Sequence, residues 1–183
     1  MNTTTEITVP AEFVRAFTAD KYRKEIVTWH TSSAPSDLVM VLRNLKAPRA
    51  AFVEIGVALA EGVLPKYESR YPADLRPRKT IDAAKAWLRD GSTANAQVAD
   101  RETQTFYIIT KVADAISSNN ATISANNAAY AAACAAWVVT AALSNVSVVM
   151  AVTYAMNAGL SHQCVIDIIK EVGQRYFAFL KQA

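Results

Sequence analysis

The sequence predicts an all-α protein: a single compact multi-helix bundle, or a short stack of helical hairpins, with about seven helices over residues 1–183. Three observations carry this. Apolar residues recur at spacings of three and four through most of the chain, the period of one buried helix face. Five glycines and six prolines leave too few breaks for a turn-rich β fold. Hydrophobic residues at 52% against 19% charged supply the core of one domain and lie far from the disordered regime. Residues 1–9 are the stretch most open to disorder.

The first helix is expected near Pro10, whose fixed φ suits a first helical position, with Phe13, Phe17 and Ile26 on its buried side. Thr28–Pro35 reads as a loop. Ser36 then caps a helix carrying Leu38, Val41, Leu42 and Leu45. A further helix starts at Pro48, runs through Phe52, Ile55 and Leu59, and is expected to end near Gly62 and Pro65. Tyr71–Asp74 reads as a turn, and Pro77 opens a helix through Ile81, Ala84 and Trp87 that Gly91 terminates.

Beyond a polar Ser92–Asn95 segment, Val98, Phe106, Ile109, Val112 and Ile116 mark another amphipathic helix, and Ser117–Asn120 breaks it. Ala128–Leu143 is helical by propensity, since alanine loses no side-chain entropy. Val146–Met156 follows, closed by Gly159; Ser161 caps the next helix through Val165, Ile169 and Val172. Arg175–Leu180 is expected to form a last, aromatic helix against the core.

Between Asp114 and Asp167 the chain holds no Asp, Glu, Lys or Arg. Such a stretch must be shielded by the rest of the polypeptide or by a companion chain. A lipid-spanning helix is not expected, because a span needs about 20 strongly apolar residues, whereas this run is alanine-dominated and flanked by Asn126, Asn127, Ser144 and Asn145. Met1–Glu6 lacks the basic and apolar regions of a secretory signal, so a cytoplasmic location is expected. Cys134 and Cys164 are then free thiols acting as small core residues.

Catalytic and metal-binding patterns are missing. His30 and His162 belong to no HExxH or CxxC cluster, and there is no GxSxG elbow, P-loop or Rossmann glycine pattern. Glu54, Glu61 and Glu68 recur every seven residues like the carboxylates of metal-binding bundles, but without Glu-x-x-His partners they read as a solvated face. No catalytic residue, metal or cofactor is therefore expected. A net charge of +3 is too small for the cationic stripe that phosphate neutralisation requires, so nucleic acid is not an expected partner.

One segment carries electrostatic tension. Asp74-Leu75-Arg76-Pro77-Arg78-Lys79 puts three cations at a helix start, where the macrodipole disfavours each by roughly 0.3–1 kcal/mol. Anions are expected nearby, from Asp74, Asp82 or Glu68. The turn is then either a braced Arg–carboxylate network or an exposed basic knuckle that docks an acidic partner. Glu68, Asp74, Arg76, Arg78 and Lys79 are the candidate partner-binding residues.

Residues Gly62–Leu88 resemble the Imm-5-like family of bacterial immunity proteins, whose pattern runs approximately VLPxFExxxPxDxRPRxAIExARAW. Pro65, Glu68, Pro72, Asp74, Arg76, Pro77, Arg78, Ile81, Ala84 and Trp87 occupy its specified places; Tyr67 stands where Phe is common and Asp82 where Glu is. The alanine-rich region Ala128–Ala158 also resembles that family's helical half, although Tyr130, Trp137 and Asn145 lie where the family carries histidines and charges. The resemblance implies a non-enzymatic inhibitor that neutralises a bacterial toxin or other effector, including a defence-system component, by direct binding. The alternative is a phage or mobile-element assembly protein forming a helical homo-oligomer. An enzyme built from Glu61, Glu68, Asp74, Arg76 and Arg78 comes third.

Overall fold

Alanine decides the centre of this fold. In the computed structural model, which describes residues 23–116, 120–140 and 144–177, the described residues form eight α-helices: α1 (Arg23–Thr31), α2 (Pro35–Asn44), α3 (Arg49–Arg70), α4 (Arg76–Asp90), α5 (Thr93–Ile116), α6 (Asn120–Thr140), α7 (Ser144–Asn157) and α8 (His162–Tyr176). The all-α bundle is as the sequence predicts. α6 lies in the middle, packed on α3, α4, α5 and α7, and every residue from Ala128 to Ala136 is buried. Small side chains allow this, because a methyl group lets neighbouring backbones close in from several sides. At the α3–α6 crossing, a Cβ on Gly56 would lie 3.0 Å from the Cα of Ala135. For α6, then, the missing charges are explained by burial within its own chain.

Four boundaries differ from the sequence expectation, each through packing. Thr28–Thr31 belongs to α1 rather than a loop, because Trp29 is 1% exposed and its indole lies against Gly173 of α8 and Leu42 of α2. α2 begins at Pro35 with no side-chain cap, and Ser36 is exposed. Ser32 braces that loop instead: its hydroxyl accepts from Ala34 N at 3.0 Å and donates to Asp37 at 2.9 Å.

α3 continues through Gly62 and Pro65 to Arg70. A proline inside a helix removes one backbone hydrogen bond, at a cost of about 3 kcal/mol. Here the ring is on the exposed side, while Val63, Leu64 and Tyr67 are buried on the other and hold the helix together. Finally, Arg175 and Tyr176 are the last turn of α8 and not a separate helix; Phe177 follows it into the core at 5% exposure. The helix start expected at Pro10 with Phe13 and Phe17, residues 117–119 of the expected break, and Phe179 and Leu180 lie outside the described residues; Asn120, the last residue of that break, opens α6, and Ile26 is half-buried on α1.

Other punctuation follows the sequence. Pro77 sits in the first turn of α4, and Gly91 ends that helix at φ 62°. Ser161 caps α8 by accepting from Cys164 N at 3.2 Å. In the polar Ser92–Asn95 segment Ser92 caps α5, its Oγ accepting from Asn95 N at 3.1 Å, and Thr93–Asn95 form the first turn of that helix. Beyond α7, Gly159 adopts φ 97°, and the carbonyl of Ala158 accepts from Lys66 Nζ and from Ser124 Oγ, which pins α7 to α3 and α6.

Candidate functional site

The turn between α3 and α4 gathers four of the five candidate residues. Tyr71 N donates to Tyr67 O at 2.8 Å, closing α3, and Asp74 N donates to Tyr71 O at 3.0 Å, which folds the turn back towards α4. Asp74 is its hub. The carboxylate accepts from Tyr67 OH at 2.6 Å, from Arg76 N at 3.1 Å and from Arg76 Nε at 2.8 Å, and it also forms an ion pair with Arg76 Nη2. By accepting the Arg76 backbone N–H it satisfies one of the open donors at the start of α4, the role of a cap taken one residue early.

These contacts set the charges. Bonds from Arg76, supported by Tyr67, hold the Asp74 carboxyl well below the usual carboxylate range, and the carboxylate in turn raises Arg76. Burial, then the bond to Asp74, pushes the Tyr67 phenol well above its ordinary value. Near neutral pH the triad is therefore an ionised carboxylate between a guanidinium and a neutral phenol.

Arg78 is matched separately. Its Nε and Nη2 reach the two oxygens of Glu68 at 3.0 and 2.9 Å, the planar fork-to-fork geometry that arginine provides and lysine does not. Asp74 and Glu68 thus supply the anions that the helix start demands, while Asp82 stands exposed. The braced-network expectation describes Glu68, Asp74, Arg76 and Arg78. Lys79 remains exposed at the rim of a shallow hollow formed with Tyr71, Pro72, Ala73 and Leu75. Leu75, at 55% exposure, is the most exposed large apolar side chain among the described residues. Sequence reasoning overlooked it, and overlooked the Tyr67 hydroxyl. A lone leucine between two polar residues shows no periodicity, and a tyrosine replacing phenylalanine reveals its bond only once the turn folds back.

The glutamates of α3 are not a freely solvated face. Glu54 pairs with Arg175 of α8 at 2.8 Å, Glu61 with Lys85 of α4, and Glu68 with Arg78. Seven-residue spacing lines them along one stripe of α3, beside two helices that each present cations. Of the five residues named for the catalytic alternative, Glu61 is paired with Lys85, about 10 Å along the helix axis from Glu68.

The remaining reactive groups are scattered. His30 is half-buried on α1, whereas His162, exposed at the start of α8, contacts the Ser33 carbonyl at 2.5 Å. Cys134 is a buried free thiol, and burial pushes its pKa up to about 12. Cys164 is only half-buried, unlike the core position expected, because it lies in the exposed first turn of α8. Among the described residues no three His, Cys, Asp or Glu side chains are grouped to hold a metal ion, and no helix is long and apolar enough to cross a membrane.

No family model, curated protein or solved structure matches this chain.

Proposed function

We propose that this protein is a non-enzymatic inhibitor of the immunity type, acting in the cytoplasm and neutralising a bacterial toxin or other effector by direct binding through the α3–α4 turn. The observation that carries the reading is a division of labour within that turn. Glu68, Asp74, Arg76 and Arg78, specified in the immunity-family pattern that the chain resembles, are spent on one another and make the turn rigid. Among the positions that pattern leaves open, Tyr71, Ala73, Leu75 and Lys79 line the hollow together with the specified Pro72, Asp74 and Arg76, and of the four Ala73, Leu75 and Lys79 are exposed. A fixed frame displaying changeable contacts is how one scaffold serves different partners.

The physical chemistry suits binding. Braced loops lose little conformational entropy on association, and tyrosine, here Tyr71 at the hollow, is among the residue types that dominate binding energy. Leu75 beside exposed Lys79 fits a partner that offers an apolar recess with a carboxylate at its edge. Charge of this sign also accelerates encounter with an acidic surface.

The test is capture of the partner from the native host, followed by titration of the purified partner with the wild-type chain and with a Leu75→Asp/Lys79→Glu double variant. Affinity is expected to fall at least a hundredfold while the far-ultraviolet circular dichroism is unchanged. An undiminished affinity, or no partner at any salt concentration, would overturn the reading.

A further inference from the structure

Where the start of α3, the end of α4, the start of α5 and the end of α6 meet, we infer a second site, a hollow that binds a free α-amino acid with an aromatic side chain. Arg49 opens α3, Trp87 lies in the last turn of α4, Ala96, Gln97 and Asp100 lie in the first two turns of α5, and Val139 lies in the last turn of α6; all line one cavity of about 610 Å³. Small-molecule sites usually span about 300–1,000 Å³. The α5 residues are three or four apart, so one side of that helix faces the hollow. Two small residues keep it open: Ala96 carries only a methyl group, and a Cβ on Gly91, which also lines the hollow, would meet nothing within 4 Å.

The charges select the ligand. Arg49 Nη1 donates to the Val139 carbonyl at 2.9 Å, which fixes the guanidinium over the end of α6 and leaves its other N–H groups available. Half-buried Asp100 accepts from Gln104 Nε2 at 2.8 Å on Oδ2, which leaves Oδ1 to receive a second donor. Both residues line the hollow, yet they form no ion pair with each other. An anion would be opposed by Asp100 and a cation by Arg49, while an uncharged apolar ligand would strip water from both charges without replacing it. A molecule carrying one charge of each sign satisfies both, its carboxylate on the Arg49 fork and its ammonium on Asp100. Trp87, half-buried, supplies the aromatic wall on which a ring stacks.

This site is distinct from the α3–α4 turn, since Trp87 lies about 16 Å along α4 from Arg76.

NMR titration of the isotope-labelled full chain with L-phenylalanine near neutral pH tests the inference. The Trp87 indole and Gly91 amide resonances should shift saturably with a Kd of about 1–10 mM, the range of a ligand of about a dozen non-hydrogen atoms, while Leu75 and Lys79 stay in place. Phenylalanine amide lacks the carboxylate, N-acetylphenylalanine the ammonium and alanine the ring; each should bind about tenfold or more weakly. Arg49→Gln should abolish the preference for phenylalanine over its amide and keep that over N-acetylphenylalanine, and Asp100→Asn should do the reverse. Damage to the fold alone would not separate the two preferences, and the ranking of ligands by the wild-type chain is decisive without either variant. No saturable shift up to about 20 mM, shifts centred elsewhere, equal affinity for phenylalanine and its analogues, or preferences that survive both substitutions would overturn the inference.

Discussion

Replacing Asp74 by asparagine tests whether the α3–α4 turn is held by the carboxylate at its centre. The substitution preserves shape but puts an amide N–H₂ in place of one oxygen: either Oδ1, which accepts from Arg76 N and Arg76 Nε, or Oδ2, which accepts from Tyr67 OH and Arg76 Nη2. Hydrogen bonds to charged groups contribute about 1.5–3 kcal/mol and neutral ones about 0.5–1.5, so a loss of about 1–3 kcal/mol is the starting figure. The Arg76 side chain is 37% exposed, which screens the pair and moves the figure to about 1–2 kcal/mol. For a chain of this length, that corresponds to a fall in Tm of roughly 2–8 °C.

The pH dependence fixes the sign. Because Asp74 is depressed in the folded state, its contribution is present above the unfolded-state pKa of about 3.9 and is lost as pH falls through the lower folded value. Thermal unfolding of both chains from pH 7 to pH 2.5 is the assay. The wild-type advantage should hold from pH 7 to about 5 and shrink progressively below about 4. Equal Tm values at pH 7, or a gap that widens on acidification, would refute the argument.

Gly173→Ala should destabilise by about 2 kcal/mol in denaturant titrations, since overpacking against the Trp29 ring and Leu42 outweighs a helix-propensity gain of about 1 kcal/mol. Gly62→Ala is the contrast: its Cβ meets only the flexible end of Leu160 at 3.3 Å, so the propensity gain should leave stability unchanged or improved by up to about 1 kcal/mol. With a thiol reagent at pH 8, half-buried Cys164 should label in the native protein. Cys134, with its pKa pushed up to about 12 by burial, should label only when denaturant is added. Two labelled thiols per native chain would contradict the burial of α6.

Much of the fold was legible from local signals. Pro77, Gly91, Gly159 and Ser161 mark helix ends through backbone rules that operate within a few residues: a fixed φ, a left-handed turn, a hydroxyl accepting an N–H. The three-four spacing of Leu38, Val41, Leu42 and Leu45 named a face that is indeed buried. Crowded cations at the start of α4 announced that carboxylates must stand near them, and Asp74 and Glu68 do.

What the chain could not announce locally is what tertiary contact pays for. Trp29 makes Thr28–Thr31 helical only because Gly173, far away in sequence, leaves room for its ring. Pro65 stays inside α3 because Val63, Leu64 and Tyr67 bury against other helices and offset a broken backbone bond. The glutamates at 54, 61 and 68 carry the same periodicity whether solvated or paired; the neighbouring helices, with Arg175, Lys85 and Arg78, decide it. Leu75 looked unremarkable until the turn closed beneath it. Helix starts, helix stops and apolar faces are written in short-range sterics and periodicity, whereas the pairing of charges and the exposure of a single side chain depend on which distant surfaces meet.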